Sequence, residues 1–390
     1  MSEGTTPGLH VVVVGVDLDP PQLGRPSTQL VEGWRDLGHL EAAIAADGKT
    51  RVTLVQASWT DARRVIDGTS CHFVREPMPF VTLPGGRAIR RLPRRLIARV
   101  KELAPDIIHF NGLTFPRELR ALQAAVPQAP IVAQDHGFDV PAGWRRWYCR
   151  WGLANLHAVI VCARDQAKQL EQMGLLDERV RVFEALEVSS PFEPGDQQAA
   201  RSATGLRGQP CLLWLGNLDA NKDPLTILDA VAMASAALPA MRLYMCFRHA
   251  GLIDEVRARI AGDQRLAAHV ELIGEVPHPR IESYLRAADF LVQGSHREVA
   301  GFGVIEALAC GTTPIVTDIP SFRRITGGGA FGALVPVHEA AALARAIVEW
   351  SGRDQRALRQ AARQHFEGQL SFRAVGEQLR RIYWSMRATI

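Results

Sequence analysis

The stretch "HREVAGFGVIEALACG", residues 296–311, contains two glutamates eight positions apart, Glu298 and Glu306, on either side of a Gly-Phe-Gly turn. An apolar run, "DFLVQG" (289–294), precedes it, and a second apolar run, "PIVTD" (314–318), follows it. The second half of the stretch consists largely of strong helix formers. This pattern predicts that Glu298 lies in a loop at the carboxyl edge of a strand, and that Glu306 lies about one turn inside the next helix.

The same alternation of strand and helix patterns extends over both halves of the chain. Further short apolar or β-branched runs lie at 9–16, 51–56, 106–110, 131–134, 158–162, 211–216, 242–247 and 270–276. Residues 184–209 are rich in Pro, Gly, Ser and Gln, which is typical of a connection between domains. The predicted fold class is therefore α/β, with two Rossmann-like, doubly wound parallel sheets that face each other across a cleft.

We expect two domains. One comprises residues 1–190 together with a C-terminal helix at about 370–390, and the other comprises residues 205–368. The helix predicted over 372–386 is amphipathic and no strand pattern follows it, so we expect it to pack on an existing sheet.

Composition excludes several classes of protein. The 390 residues are 47% hydrophobic, which is ample for full cores, and 45 basic against 41 acidic residues leave a net charge of +4, which argues against a nucleic-acid binder. The six cysteines are scattered without a CxxC pattern, as expected in a reduced cytosolic compartment. No signal-peptide or membrane-span pattern is present. We therefore expect a cytoplasmic protein, at most peripheral at the inner face of the membrane.

The helix after Glu298 has the properties of an anion site. Exposed amides around Gly301 and Phe302 would direct the positive end of the helix at a phosphate. Glu306 would lie roughly 6 Å further along the axis, where a carboxylate can accept both hydroxyls of a ribose. Its neighbours in "VIEALACG" are apolar, so an unpaired charge there would be costly and a hydroxyl-rich ligand would explain it. The alternative is a solvated helix carboxylate.

This motif resembles the signature of the retaining GT-B glycosyltransferases of the family-4 type, also called glycosyl transferases group 1. That signature is E-x7-E followed by Ala-(Leu/Met)-Ala-x-Gly-x-x-Pro, and Glu298, Glu306, "ALACG" and Pro314 match it. In addition, "LWLGNLDANKDPLTILDAV" resembles the family's donor-phosphate loop, and "LIGEVPHPRIESYLRAADFLV" resembles its base-binding segment. Residues 372–386 resemble its terminal crossover helix. The resemblance implies a GT-B fold, with the donor held mainly by the second domain and the acceptor by the first.

The resemblance also implies a reaction. A sugar would pass from a nucleotide diphosphate sugar to a glycan, lipid-linked or small-molecule acceptor, with retention of anomeric configuration and without a metal or other cofactor. The implied catalytic residues are Lys222, at the leaving diphosphate, Glu298, at the hydroxyls of the sugar, and His136, facing the sugar. The implied donor-binding residues are Gly216, Asn217, Lys222, Arg248, Val276, His278, Ala300, Gly301, Phe302 and Glu306. Asn111 and Gly112 would line the acceptor side. For His136, the alternative to a role in the site is a purely structural role.

The chain departs from the family pattern at three places. Asn217 stands where the family usually has an arginine before its lysine, and Arg248 is a candidate replacement, the alternative being a merely solvated arginine. The sequence "GRPSTQ" (24–29) stands in place of the family's Gly-Gly loop, and the Asn-Gly between the domains is absent.

Two further features have simpler interpretations. Asp17 and Asp19 form a D-x-D pattern, which we interpret as no metal site because it follows the first strand and the second half already supplies a metal-free phosphate site. The segment "RAIRRLPRRLIARVK" (87–101) is basic and amphipathic, and Pro93 limits it to a short or kinked helix. It is either a solvated face or a contact with an anionic membrane or acceptor.

Two other functions remain open at this point. A nucleotide-sugar epimerase of related fold would act without an acceptor. A non-catalytic module that binds nucleotide sugars is the other alternative, and the missing arginine at Asn217 makes it conceivable.

Overall fold

The computed structural model describes residues 8–17, 38–76, 80–82, 88–137 and 143–388. The chain divides into two units, Met1–Glu187 with Phe372–Ile390, and Val188–Ser371. Each unit is built on its own parallel sheet, which confirms the α/β class with two doubly wound sheets.

The part of the first unit that the structure describes contains ten strands, most of which form one sheet. Its strands are β1 (Leu9–Gly15), β2 (Thr50–Ser58), β3 (Ala62–Ile66), β4 (Thr69–Arg75), β5 (Phe80–Thr82), β6 (Ala88–Arg90), β7 (Ile107–Asn111), β8 (Ile131–Gln134), β9 (Ala158–Val161) and β10 (Arg181–Glu184). Among the described residues, eight of these form one sheet in the order β10-β9-β8-β7-β1-β2-β4-β3. All neighbours in it are parallel except β3 and β4.

Apolar strands and amphipathic helices form the core of this unit. The helices are α1 (His39–Ala45), α2 (Arg94–Glu102), α3 (Pro116–Ala125), α4 (Trp144–Leu153) and α5 (Arg164–Gln172). Every residue of β1 is buried, as expected for a strand of a parallel sheet, which is covered on both faces. β2 lies on one side of β1 and β7 lies on the other, so the order of the strands reverses between β1 and β7. The carboxyl ends of these two strands therefore mark the switch point of the sheet.

A hairpin that was not predicted from the sequence extends the edge of the first sheet. β3 and β4 are antiparallel and are joined by Asp67 and Gly68. Both linking residues have positive φ, 48° and 80°, which is the conformation of the two-residue turn that Asp-Gly favours.

The second unit repeats the doubly wound pattern. Its strands are β11 (Cys211–Gly216), β12 (Arg242–Phe247), β13 (Val270–Gly274), β14 (Phe290–Gln293), β15 (Thr313–Thr317) and β16 (Ala333–Val335). Its helices are α6 (Gln197–Thr204), α7 (Pro224–Ala234), α8 (Ile253–Ala261), α9 (Gln264–His269), α10 (His278–Ala287), α11 (Phe302–Ala309), α12 (Pro320–Ile325), α13 (Ala340–Ser351) and α14 (Gln355–His365), with a π-helical turn at Phe366–Leu370. The strands are all parallel, in the order β13-β12-β11-β14-β15-β16.

The structure changes the interpretation of residues 184–209. The division between the units lies after Glu187, and most of the remaining segment belongs to the second unit. Within it, α6 begins after Asp196, whose carboxylate accepts from the Ala199 amide at 2.6 Å, and ends at Gly205, whose φ is 75°. The segment therefore contains an ordered helix with standard caps and is not a plain linker throughout.

The basic segment 87–101 is not a single amphipathic helix. It contains β6, and α2 begins at Arg94, directly after Pro93. The apolar residues of α2 are buried in the core of the first unit. Insertion of this face into a lipid surface would therefore require the core to open, and only the arginine-rich side is available for contacts.

The terminal helix α15 (Phe372–Arg387) belongs to the first unit, although the whole second unit precedes it in sequence. Tyr383, fully buried, places its hydroxyl 2.5 Å from Nδ1 of His109 on β7. Burial, with a smaller effect of His136, lowers the pKa of His109 to about 4, so the imidazole is neutral at pH 7 and Nδ1 can accept the Tyr383 hydroxyl. Arg380 also donates to the carbonyl oxygen of Ile44 at 3.0 Å.

None of the described helices combines the length and the apolar composition that a membrane crossing requires. All six cysteines lie within the described residues, where they are buried and form no disulfide.

We predict that Tyr383→Phe lowers the free energy of unfolding by about 1–3 kcal/mol, because it leaves a buried imidazole nitrogen without its partner. Urea denaturation measures this difference. Arg381→Ala on the same helix is the control, since that side chain is 76% exposed and its removal should change stability by less than about 0.5 kcal/mol. Equal effects of the two substitutions would contradict the role given to Tyr383.

Candidate active site

The strand order of the second sheet places two loops side by side. β11 and β14 are neighbours, and their carboxyl ends lead into residues 217–223 and 294–301. Asn221 joins the two loops, because its side-chain oxygen accepts from the Arg297 amide and its side-chain nitrogen donates to the Arg297 carbonyl oxygen, both at 3.1 Å. A crevice outside the carboxyl ends of strands at such a switch point is where open α/β sheets bind ligands.

Lys222 and Glu298 meet at this switch point. The Lys222 ammonium contacts Oε1 of Glu298, and both side chains are largely buried, with 21% and 15% exposed. The Lys222 amide also donates to Asp219 at 2.9 Å, which fixes the backbone of the loop. An ammonium carries three donors, so Lys222 can hold Glu298 and still donate to an anion.

Gly301 ends the second loop in a conformation that suits glycine. Its φ is 61°, and it is the N-cap of α11. A Cβ at this position would lie 2.7 Å from Cε1 of the buried Phe322. The chain can therefore turn into α11 here only without a side chain, and the first amides of that helix, at Phe302 and Gly303, have no partner within the helix. Ala300 is buried beneath this turn, whereas Phe302 is half-exposed.

Glu306 is buried in α11, and a protein side chain contacts it. It is 7% exposed, and its Oε1 lies 2.5 Å from Nε2 of His278 at the start of α10. The ring of Phe192 lies 5.3 Å from the His278 ring and supports it. This contact corrects the expectation that the buried charge of Glu306 would be unpaired without a ligand. His278 was predicted from the sequence as a donor-binding residue, but its side-chain contact with Glu306 was not.

Val276 lies between β13 and α10, at the same carboxyl edge of the sheet. β13 ends at Gly274, whose φ is 81°, and the half-buried Val276 precedes the start of α10 at His278. Backbone groups at 274–277 therefore lie in a turn near the Glu306–His278 contact, as expected for a segment that contacts a base.

Asn217 and Arg248 occupy equivalent positions on neighbouring strands. Gly216 pairs with Phe247 in the parallel register of β11 and β12, so each of the two residues directly follows a paired position. The amide of Leu218 donates to the carbonyl oxygen of His249 at 2.8 Å, which holds the two loops together. Arg248 is exposed. The structure thus places Arg248 at the same edge of the sheet as Asn217, one strand away.

In the first unit, His136, Asn111 and Gly112 lie together at the carboxyl ends of β7 and β8. His136 Nε2 lies 3.4 Å from the side-chain oxygen of Asn111, and the Gly112 amide donates to Gln134 at 2.9 Å. Nδ1 of His136 contacts Glu187, a partner that the sequence analysis missed.

The charge of Glu187 controls the protonation of His136. Burial lowers the pKa of His136, but the hydrogen bond and charge of Glu187, with the charges of Asp135 and Asp17, outweigh it and raise the pKa above its usual value. The imidazole is therefore held by a carboxylate at Nδ1, and its Nε2 faces the side chain of Asn111.

Two sequence hypotheses fall outside the described residues. They concern the loop at 24–29 and Asp19 of the D-x-D pattern. Asp17 is described and exposed, and its carbonyl oxygen accepts from the side chain of Gln56 at 2.7 Å.

We predict that Glu187→Gln lowers the pKa of His136, as followed by NMR titration of its ring protons. Because the folded pKa of His136 is raised, the pair stabilises the protein fully below the unfolded pKa of about 6.5, and this contribution is lost as pH rises through the folded pKa. The stability difference between wild type and Glu187→Gln should therefore be larger at acidic than at alkaline pH. A pH-independent difference would contradict the ion pair.

Two protein families match this chain. The family described as Glycosyl transferases group 1 matches residues 196–365, and Glycosyltransferase Family 4 matches residues 28–184. A phosphatidyl-myo-inositol mannosyltransferase of Mycolicibacterium smegmatis is 28% identical over 342 residues, covering 82% of this chain and 78% of its own.

Solved structures show the same fold. A glycosyltransferase from Rickettsia africae superposes with a TM-score of 0.68 at 15% identity, covering 97% of this chain and 98% of its own. Anabaena Alr3699/HepE in complex with UDP superposes with a TM-score of 0.65 at 17% identity, covering 97% of this chain and 100% of its own. With the two family matches spanning most of its length, the chain belongs to the family-4-type glycosyltransferases (glycosyl transferases group 1) and has the GT-B fold.

Proposed function

We propose that this glycosyltransferase uses a nucleotide diphosphate sugar as donor, bound at the switch point of the second unit. The observation that carries the proposal is the Lys222–Glu298 pair beside the N-terminus of α11. A cation, a carboxylate and a set of helix amides at one edge match a ligand that has a diphosphate next to a hydroxyl-rich ring. The UDP complex of the similar Anabaena protein supports this donor class.

In the proposed reaction an acceptor hydroxyl oxygen bonds to the anomeric carbon, the bond between the sugar and the diphosphate breaks, and the hydroxyl proton passes to the leaving diphosphate. Negative charge develops on that leaving group as its bond to the sugar breaks. Lys222 and the amides at Phe302 and Gly303 stabilise that charge without reorganising. Glu298 accepts hydrogen bonds from the hydroxyls of the transferred sugar, and Arg248 contributes positive potential in place of the arginine that Asn217 replaces. The transfer keeps the anomeric configuration and needs no metal for this step.

The nucleoside part of the donor is assigned to Glu306 and the turn at 274–277. A carboxylate offers about four acceptor positions, so its contact with His278 leaves capacity for a ribose hydroxyl. The His278 side chain is 53% exposed, and we assign it a place beside the base.

The acceptor is proposed to be recognised by the first unit, near Asn111 and Gly112. The name of the mycobacterial relative includes phosphatidyl-myo-inositol, so a lipid headgroup is one acceptor to be tested. Contact of this protein with an anionic membrane would use exposed arginines such as Arg91 and Arg94, since the apolar side of α2 is buried. Such a contact would be electrostatic and weakened by salt.

We predict that Lys222→Ala and Glu306→Ala weaken nucleotide diphosphate binding roughly 10- to 150-fold, the cost of a lost charge-assisted hydrogen bond. Glu298→Ala should mainly reduce turnover, because its proposed partners are sugar hydroxyls. Isothermal titration calorimetry with the nucleotide diphosphate alone, and kcat with the full donor, separate these effects. Glu255→Ala and Arg257→Ala, which remove exposed charges of the same unit, are the controls. Unchanged affinity in both of the first two variants would overturn the site assignment.

The function itself is tested by a product assay. A thermal-shift screen of UDP, GDP, ADP, dTDP and their sugars first selects the donor, because a ligand of the folded state raises its stability. The selected donor is then incubated with an acceptor panel that includes phosphatidyl-myo-inositol in vesicles at low and high salt. We expect free nucleotide diphosphate and a glycosylated product with retained configuration, both dependent on the acceptor and resistant to EDTA. An epimerised donor without an acceptor, or tight binding without turnover on any acceptor, would replace the proposal with the epimerase or the binding module.

A further inference from the structure

Three side chains with metal-ligating atoms converge beside the Lys222–Glu298 pair. They are Asp223, at the N-cap of α7, His296, in the loop after β14, and His338, after β16. Asp223 Oδ2 lies 3.1 Å from His296 Nε2 and 3.0 Å from His338 Nδ1. All three ligand atoms lie within 4.8 Å of one another.

These distances are close to those in a tetrahedral zinc site. Zinc binds imidazole nitrogen at about 2.0–2.1 Å and carboxylate oxygen at about 2.0–2.2 Å, so a nitrogen and an oxygen ligand of a tetrahedral site are about 3.3–3.5 Å apart. Both oxygen-to-nitrogen distances need to lengthen by only a few tenths of an ångström to reach this value. The donor set of two imidazoles and one carboxylate is one that zinc commonly takes.

The surroundings hold the cluster in place. The Thr226 hydroxyl donates to Asp223 Oδ2 at 2.8 Å, which is the kind of outer hydrogen bond that orients a ligating carboxylate. The amide of His296 donates to the Asn221 carbonyl oxygen at 2.8 Å, which ties its loop to the residues before Asp223. His338 has a φ of 64°, an uncommon conformation that is kept only where the structure around it imposes it.

The cluster is open on one side. Asp223 is only 12% exposed, whereas His296 is 29% and His338 66% exposed. An ion could therefore enter from solvent through the His338 side, and a water molecule could complete four ligands, as in zinc sites with three protein ligands.

We propose that Asp223, His296 and His338 form a Zn²⁺ site. Bound zinc replaces the hydrogen bonds among the three side chains and links three loops of the second unit. Asp223 directly follows Lys222, and His296 lies two residues before Glu298. Occupancy therefore fixes the loops that carry the Lys222–Glu298 pair. This role is separate from the proposed transfer step, which depends on Lys222 and the helix amides, so the site is tested by binding and stability rather than by turnover.

The test is calorimetric titration of the full chain with ZnCl₂ in metal-free buffer. We expect one equivalent of zinc per chain, a higher melting temperature with zinc, and visible absorption bands when Co²⁺ is used instead. His338→Asn and His296→Gln each remove one imidazole, and asparagine tolerates the positive φ of residue 338. Because loss of even an outer-shell partner costs about 10- to 100-fold in metal affinity, loss of a ligand should weaken zinc binding at least tenfold.

His249→Asn, which removes an exposed histidine outside the cluster, is the matched control and should bind zinc as the wild type does. Circular dichroism without metal checks that each variant is folded. The proposal fails if the wild type binds no stoichiometric zinc, or if His338→Asn and His296→Gln both bind it unchanged. In either case the cluster would be only a hydrogen-bonded cap of α7.

Discussion

The close approach of two backbone segments at the switch point of the second sheet is the constraint on which the candidate site depends. β11 and β14 are adjacent, so the loops that leave them must run side by side. A Cβ on Gly294 would lie 3.1 Å from the carbonyl oxygen of Asp223, and one on Gly216 would lie 3.3 Å from Cγ of Lys222. Gly294 therefore allows the two loops to touch, whereas Gly216 makes room for Lys222 beside the end of its own strand. The contacts between Lys222 and Glu298 and between Asp223 and His296 follow from the proximity of the loops.

Much of the second unit could be predicted from sequence because its signals are local. The strand before Glu298, the glycine turn and the apolar helix around Glu306 are consecutive in the chain, and the structure contains each of them. The contacts were not predictable in the same way. Lys222 and Glu298 are 76 positions apart, and Glu306 and His278 are 28 apart, so their meeting depends on strand order, which hydrophobic periodicity does not specify.

Some features outside this motif were missed although local signals for them were available. Asp67-Gly68 between two short β-branched runs is the strongest short-range indication of a hairpin, and Asp196 and Gly205 are standard helix caps inside a segment interpreted as a linker. Composition outweighed these signals, because the segment at 184–209 is rich in residues that also occur in loops. Glu187 differs from these cases. Glu187 follows β10, whereas its partner His136 follows β8, and no sequence motif indicates that the two side chains meet.

The terminal helix gives the chain an unusual order of assembly. Because α15 supplies Tyr383 to β7 and Arg380 to the backbone of α1, the first unit is covalently complete only after the whole second unit has been made. At translation rates of about 5–20 residues per second, residues 1–187 leave the ribosome roughly 10–40 s before α15. During that interval the surface that α15 covers is exposed to solvent and to chaperones. The second unit is a continuous segment and is synthesised before α15, so it can finish folding before the first unit does.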